Sequence, residues 1–271
     1  MKWRKPAAST GKVLCLLPAV LLLVVAAVLA ASPLLAAPVP VRFSEGMTHG
    51  FLVLTDTKGT RLASGDFLQL HQGRDVKARI LFQFKDGSVR DETAVFSQQK
   101  VFELQSYHLI QKGPSFKDDM DIHLERSGKY RVTVKPHKGE EKVLDGKLDL
   151  PPDVYNGMLP TIGKNLEKGH GATVHIVAFT PTPRVIELEM VPDGEEKVHV
   201  GDLPKTASHY ILKPKLGLLL KIPAAILGRT PPDSHLWTIF AEVPAFVKLE
   251  GPLATDGPIW RVELTSPVWP K

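Results

Sequence analysis

The stretch from Arg74 to Ser88, RDVKARILFQFKDGS, decides the fold class. Val76, Ala78, Ile80, Phe82 and Phe84 recur at every second position. Lys77, Arg79, Gln83 and Lys85 fill the places between them, with Leu81 the exception. Successive side chains of an extended chain point to opposite faces, so the pattern predicts a strand with one face buried and one wet. Asp86-Gly87 follows, and glycine accepts the positive φ that a tight hairpin needs. The pattern recurs further on. Met120, Ile122 and Leu124 share a face, Ser127-Gly128 turns the chain, and Tyr130, Val132 and Val134 continue that face. Ile186, Leu188 and Met190 precede Asp193-Gly194, which predicts another turn before Val198 and Val200. Hairpins at regular spacing predict a mainly β chain, an antiparallel half-barrel or open barrel with one or two short helices.

One segment departs from this period. In DLPPDVYNGMLPTIGKNLEKG, residues 149–169, Val154, Met158, Ile162 and Leu166 stand four apart. This predicts a short helix near 152–167, with Gly169 as its stop. Gly157, Pro160 and Gly163 weaken it. It divides the strands into two sets and is placed to cap one end or face of the sheet. A second departure is KLGLLLKIPAAILGRTPPD, residues 215–233. Lys221 and Pro223 leave its apolar run too short to cross a membrane, which takes roughly 20 residues. It reads as a buried strand followed by a helical turn, or else as an apolar flap at 216–228 over a pocket or lipid surface. HLWTIF, AFVKLEGPL and PIWRVELTSPVWP then read as closing strands. Their Trp237, Phe246, Trp260 and Trp269 serve first as core anchors.

The N-terminus has the layout of a targeting segment. Lys2, Arg4, Lys5 and Lys12 precede the apolar run of residues 13–31, and small residues follow up to Ala37. A basic start, an apolar run and a small-residue exit predict a secretory signal peptide over 1–37. An uncleaved anchor at 13–31 is the alternative, and it would give the protein membrane contact. In both cases residues 38–271 are expected outside the cytoplasm, in the periplasm or cell envelope, as a single antiparallel β domain. The leader also carries most of the charge. The chain has a formal net charge of +5, four of it in these first residues, which contain no acid, so about +1 remains for the rest. A nearly neutral exported part argues against nucleic acid as a partner. Cys15, the one cysteine, lies in the leader, so the exported part can form no disulfide, Cys–metal site or thiol nucleophile.

Catalytic signatures are absent from the sequence: no G-x-S-x-G, H-E-x-x-H, Walker loop or G-x-G-x-x-G occurs. Ser97 and Lys100 make a formal S-x-x-K, but FSQQKVFEL reads as a strand end and turn rather than the helix start that motif requires. His71, His108 and His123 fall on separate predicted strands, and His170 and His175 flank a Gly-rich turn. None has tight ligand spacing, and they read as surface or hydrogen-bonded side chains rather than a metal site. Asp118, Asp119 and Asp121 lack the spaced oxygens of a calcium loop and read as a solvated start to a strand. No catalytic residue, metal ligand or cofactor is assigned.

The segments FKDGSVRDETAVFSQ, HLIQKGPSF, DLPPDVYNGMLPTIGKN, PPDSHLWTIFAEVPAFVKLEGPL and GPIWRVELTSPVWP resemble an uncharacterised family of exported bacterial proteins. That family brings no assigned activity. The layout is also distantly similar to periplasmic half-barrels of the lipoprotein-carrier type and to envelope domains of unknown function, in which a curved sheet shields an apolar cavity. That likeness is architectural; the first functional expectation is a non-enzymatic carrier or binding module for a lipid or other apolar ligand. Phe82, Phe84, Tyr130, Leu219, Ile226 and Trp237 are the candidate wall residues. The alternative is a structural or assembly protein of the envelope that holds a protein partner, with a hydrolase last.

Overall fold

Period-two alternation is converted into strands along the whole described chain. The structure is a computed structural model that describes Met1 and residues 36–179, 182–201, 203–215, 231–241, 243–254 and 257–265. The first arm contains β1 (Thr48–Asp56), β2 (Arg61–Gln72), β3 (Asp75–Phe84), β4 (Val89–Gln98), β5 (Phe102–Lys112), β6 (Asp118–Glu125), β7 (Lys129–Pro136) and β8 (Lys142–Lys147). A short helix, α1 (Leu159–Asn165), follows. The second arm contains β9 (Ala172–Ala178), β10 (Arg184–Val200), β11 (Leu203–Lys215), β12 (Ser234–Ile239), β13 (Ala245–Pro252) and β14 (Ile259–Thr265).

All of these strands join one sheet in the order β8-β7-β6-β5-β4-β3-β2-β1-β14-β13-β12-β11-β10-β9. Each neighbouring pair is antiparallel. The first and last strands meet at its middle, with Phe51 opposite Thr265 and Asp56 opposite Trp260. Among the described residues the sheet ends at β8 and β9, so it is an open barrel-like sheet that does not close. Ala36–Lys271 form one compact unit.

The core follows the expected face. Val76, Ala78, Phe82 and Phe84 of β3 are buried, and Ile80 is partly so. Asp86-Gly87 turns the chain with Gly87 at φ +86°, and Ser127-Gly128 does so with Gly128 at φ +84°. Asp193-Gly194 differs. Both sides of it pair with β11, Pro192 opposite Tyr210 and Glu195 opposite Ser208, so the two residues bulge out of one long strand. The hairpin turn lies further on, at Gly201. Because β11 is long enough to pair across the bulge, the turn chemistry of Asp-Gly is absorbed as a bulge, with Gly194 at φ +91°.

Helix α1 is shorter than the spacing of Val154 to Leu166 predicts, because residues 153–155 are extended against β9: Val154 bridges His175 in parallel. Pro160 sits in the first turn of the helix, where its missing N–H costs nothing. Gly163 has a packing reason: a Cβ there would lie 2.5 Å from Leu236 of β12. Tyr155, Met158, Ile162 and Leu166 are buried in one cluster with Phe96, Phe102 and Leu124 from the first arm and Val174, Met190 and Leu236 from the second. The two arms are therefore packed on a shared plug.

Candidate functional site

Of the expected wall residues that the structure describes, Phe82 and Phe84 share one cluster, and Tyr130 and Trp237 lie elsewhere. Phe82 and Phe84 belong to a cluster with Leu52, Leu54, Phe116 and Trp260 near the middle of the sheet. Phe84 lies 5.2 Å from Phe116 and 5.4 Å from Trp260 by ring centroids, and the Phe82 ring covers Gly65. Tyr130 is on β7 and shields Gly146 of β8, where a Cβ would strike its hydroxyl. Trp237 sits in a third cluster with Val198, Ala207 and Val247. Leu219, Ile226 and the rest of the apolar segment lie outside the described residues, as do the expected leader and Trp269. Among the described residues no helix is long and apolar enough to cross a membrane.

Around the plug many buried polar groups are paired, although Gln69 Oε1 and the Thr238 hydroxyl are buried without a partner. Arg90 donates to Gln111 Oε1 at 3.2 Å and to Glu92 Oε2 at 3.3 Å, and Tyr107 donates to Glu92 Oε1 at 2.8 Å. Glu45, almost fully buried, accepts from Lys164 Nζ at 2.7 Å and from Gln69 Nε2 at 2.8 Å. The Tyr155 hydroxyl accepts from Val39 N at 2.8 Å and donates to Phe102 O at 3.1 Å. Burial pushes that phenol up to about 12, so it stays a neutral donor. Two concavities stand out: a shallow open groove of about 640 Å³ beside Arg126, Lys147 and Leu150, and a recess of about 90 Å³ at Gly169, Pro192, Ser208 and Tyr210.

The sheet's two edges are treated differently. On β9, His175 N donates to Asp153 O at 3.0 Å and His175 O accepts from Tyr155 N at 2.9 Å. The Asn156 amide continues the ladder, accepting from Val177 N at 2.7 Å and donating to Val177 O at 2.9 Å. Asp153 also binds His175 Nδ1 at 2.8 Å. Segment 153–156 thus completes the backbone hydrogen bonding of this edge, as buried or capped edges require. On β8 all six residues are exposed, Val143 and Leu144 included, and among the described residues no strand pairs with its outer edge.

Histidines gather in two places on the outer face. On β11 and β12, His209 stacks on Trp237 at 4.4 Å and 5°, and His209 Nε2 lies 2.9 Å from His235 Nδ1. Lys248 Nζ lies 3.6 Å from the Trp237 ring centre, and the indole N–H donates to Glu196 at 2.9 Å. Asp193 and Glu196 stand 3.2 and 3.3 Å from His209 Nδ1, without the alignment of a hydrogen bond. Burial is the largest influence on His209 and lowers its pKa; His235 and Lys248 add to this against the two carboxylates. The unfolded chain therefore takes up a proton near the ordinary His value of about 6.5 that folded His209 refuses. Stability from this group is complete above that pH and is lost as pH falls toward the depressed folded value. Urea unfolding at pH 7.5 and pH 5 is expected to show a smaller acid loss in His209→Gln than in the wild type. Equal losses would show that His209 does not carry this pH dependence.

The second gathering is on β5 and β6. His108 and His123 face each other across the two strands, with their ring centroids 3.8 Å apart. Asp121 shares their face and stands 3.0 Å from His108 Nε2 and 3.1 Å from His123 Nε2. Sequence reasoning placed both His on strands but not together, because register across a hairpin is not written in either strand. The usable signal was Asp121-x-His123, two ligand types on one face of a strand. His71 remains on β2 and takes no part.

No family model matches the chain, and no curated protein does. Among solved structures it is similar to a β-barrel-like protein of the domain of unknown function DUF1849 from Brucella abortus. The two are 12% identical, the match covers 87% of this chain and 100% of that one, and the TM-score is 0.44.

Proposed function

We propose that this is an exported, non-enzymatic assembly protein of the cell envelope, and that a second copy of the chain docks at the outer edge of β8. The observation that carries this reading is the contrast between edges: β9 is capped by a dedicated segment, whereas β8 presents Val143 and Leu144 uncovered. An open edge is a template for another strand. A carrier reading asks for a continuous apolar cavity, whereas helix α1 and Tyr155 occupy the space between the arms.

The side chains of β8 select the register. A two-fold pairing that keeps outer face with outer face sets residues of equal parity opposite each other. Centred on Leu144, it places Leu144 on its own copy and Glu141 opposite Lys147 twice. Centred on 142, 143 or 145, it opposes Lys142 to itself, Glu141 to Asp145, or Asp145 to itself. Like charges directly opposite are destabilising. Centred on Gly146, Asp145 meets Lys147, but only residues 145–147 of β8 overlap, so the register centred on Leu144 is the one that uses most of the strand without opposing like charges.

Sedimentation equilibrium on the chain exported with its own leader tests this, and native mass spectrometry of the same sample reports whether residues 1–37 are removed. A dimer is expected. Lys147→Glu should weaken it by about 1–2 kcal/mol, roughly tenfold in Kd, and adding Glu141→Lys should restore it. A monomer at all concentrations, a dimer indifferent to these changes, or a monomer carrying a lipid-sized adduct would overturn the proposal.

A further inference from the structure

We infer that His108, Asp121 and His123 form a surface site for a first-row transition dication. The site is independent of strand addition, since β7 separates β6 from β8. Two imidazole nitrogens and one carboxylate oxygen converge here, with all ligand atoms within 4.8 Å of one another. Other His–Asp pairs offer one imidazole each, as in His49 with Asp66 and His175 with Asp153. His209 has His235, Asp193 and Glu196 around it, but among the described residues only His108, Asp121 and His123 bring three ligand atoms all within 4.8 Å of one another.

The spacing suits a small, borderline-soft ion. Zinc takes imidazole nitrogen and carboxylate oxygen at about 2.0–2.2 Å in tetrahedral geometry, so neighbouring ligand atoms stand about 3.3 Å apart. Asp121 Oδ1 is already 3.0 and 3.1 Å from the two Nε2 atoms. Without metal, His108 Nε2 is hydrogen-bonded to Asp121 Oδ1 at 3.0 Å, and a bound cation would take the Nε2 lone pairs of both rings and this oxygen as ligands. The remaining coordination positions face solvent, because all three side chains are partly exposed. Calcium and magnesium are disfavoured, since they require oxygen ligands in greater number. Two His and one carboxylate suit zinc and its first-row neighbours.

The surroundings leave the site electrically available. By register, Arg131 lies opposite His123 and Thr93 opposite His108. Arg131 is paired with Asp145 at 3.2 Å, and the neighbouring Arg79 with Asp91 at 2.6 Å. Glu125 follows His123 on the same face and adds negative charge.

The test is calorimetric titration of the full exported chain with zinc chloride at pH 7.5. One ion per chain is expected. His123→Gln and His108→Gln should each weaken binding at least about tenfold, since losing even an outer partner of a ligand costs 10–100-fold. His49→Gln should leave it unchanged. All three positions are at least partly exposed on strands, so the variants should fold, which circular dichroism checks. No binding, or binding that the His108 and His123 variants leave intact, would overturn the inference.

Discussion

Replacing Tyr155 with Ala should lower the unfolding free energy by about 3–5 kcal/mol, the usual cost of deleting a large buried ring. The side chain is fully buried among residues from both arms, so neither arm can relax into the hole without losing the other. Tyr155→Phe separates the ring from the hydroxyl. It leaves Val39 N and Phe102 O without the partner that both use, and should cost about 1–3 kcal/mol. Equilibrium urea denaturation reads both values. A neutral Tyr155→Phe would mean that the hydroxyl does not tie the N-terminal segment to β5. The pair of variants also tests the filled interior directly, because a carrier with a roomy cavity would tolerate the smaller side chain.

The second large effect is expected at Lys164. Its ammonium meets Glu45 where that carboxylate is almost fully buried, and Gln69 holds the same oxygen. Gln98 pins the Glu45 backbone from β4, accepting at 2.6 Å and donating at 2.8 Å. Lys164→Met leaves a buried carboxylate without its counter-charge and should cost about 3–5 kcal/mol. Adding Glu45→Gln should recover part of this loss, because the double variant no longer buries an unpaired charge. Losses that simply add would show that the two groups act independently. The pair ties α1 to the segment that precedes β1, beside Asn165 Oδ1, which accepts from Arg42 N and Phe43 N, so its removal should also raise hydrogen exchange at Gly46 and Met47.

The strands were legible because burying one face of a sheet imposes a period of two on the sequence, and Val76 to Phe84 obey it. Helix α1 was legible in outline from Met158 and Ile162, but its start was not. Asp153 to Asn156 could have served as a first helical turn, and they were taken instead to cap β9. The same competition moved the turn at Asp193-Gly194. A turn-forming dipeptide bends a chain only if the strands on either side have no common partner, and β11 supplied one.

The sites divide in the same way. Sequence alone determined the antiparallel open sheet, the inward face of strands such as β3 and β6 and the presence of a helix between two strand sets, because these follow from local side-chain alternation and spacing. Tertiary structure decided which residues meet. Phe82, Tyr130 and Trp237 have the same apolar character in sequence, yet they fall in separate places because they lie on strands far apart in the sheet order. His108, Asp121 and His123 come together only through the register of β5 against β6. Register depends on pairing between strands, and that pairing is a property of neither strand alone.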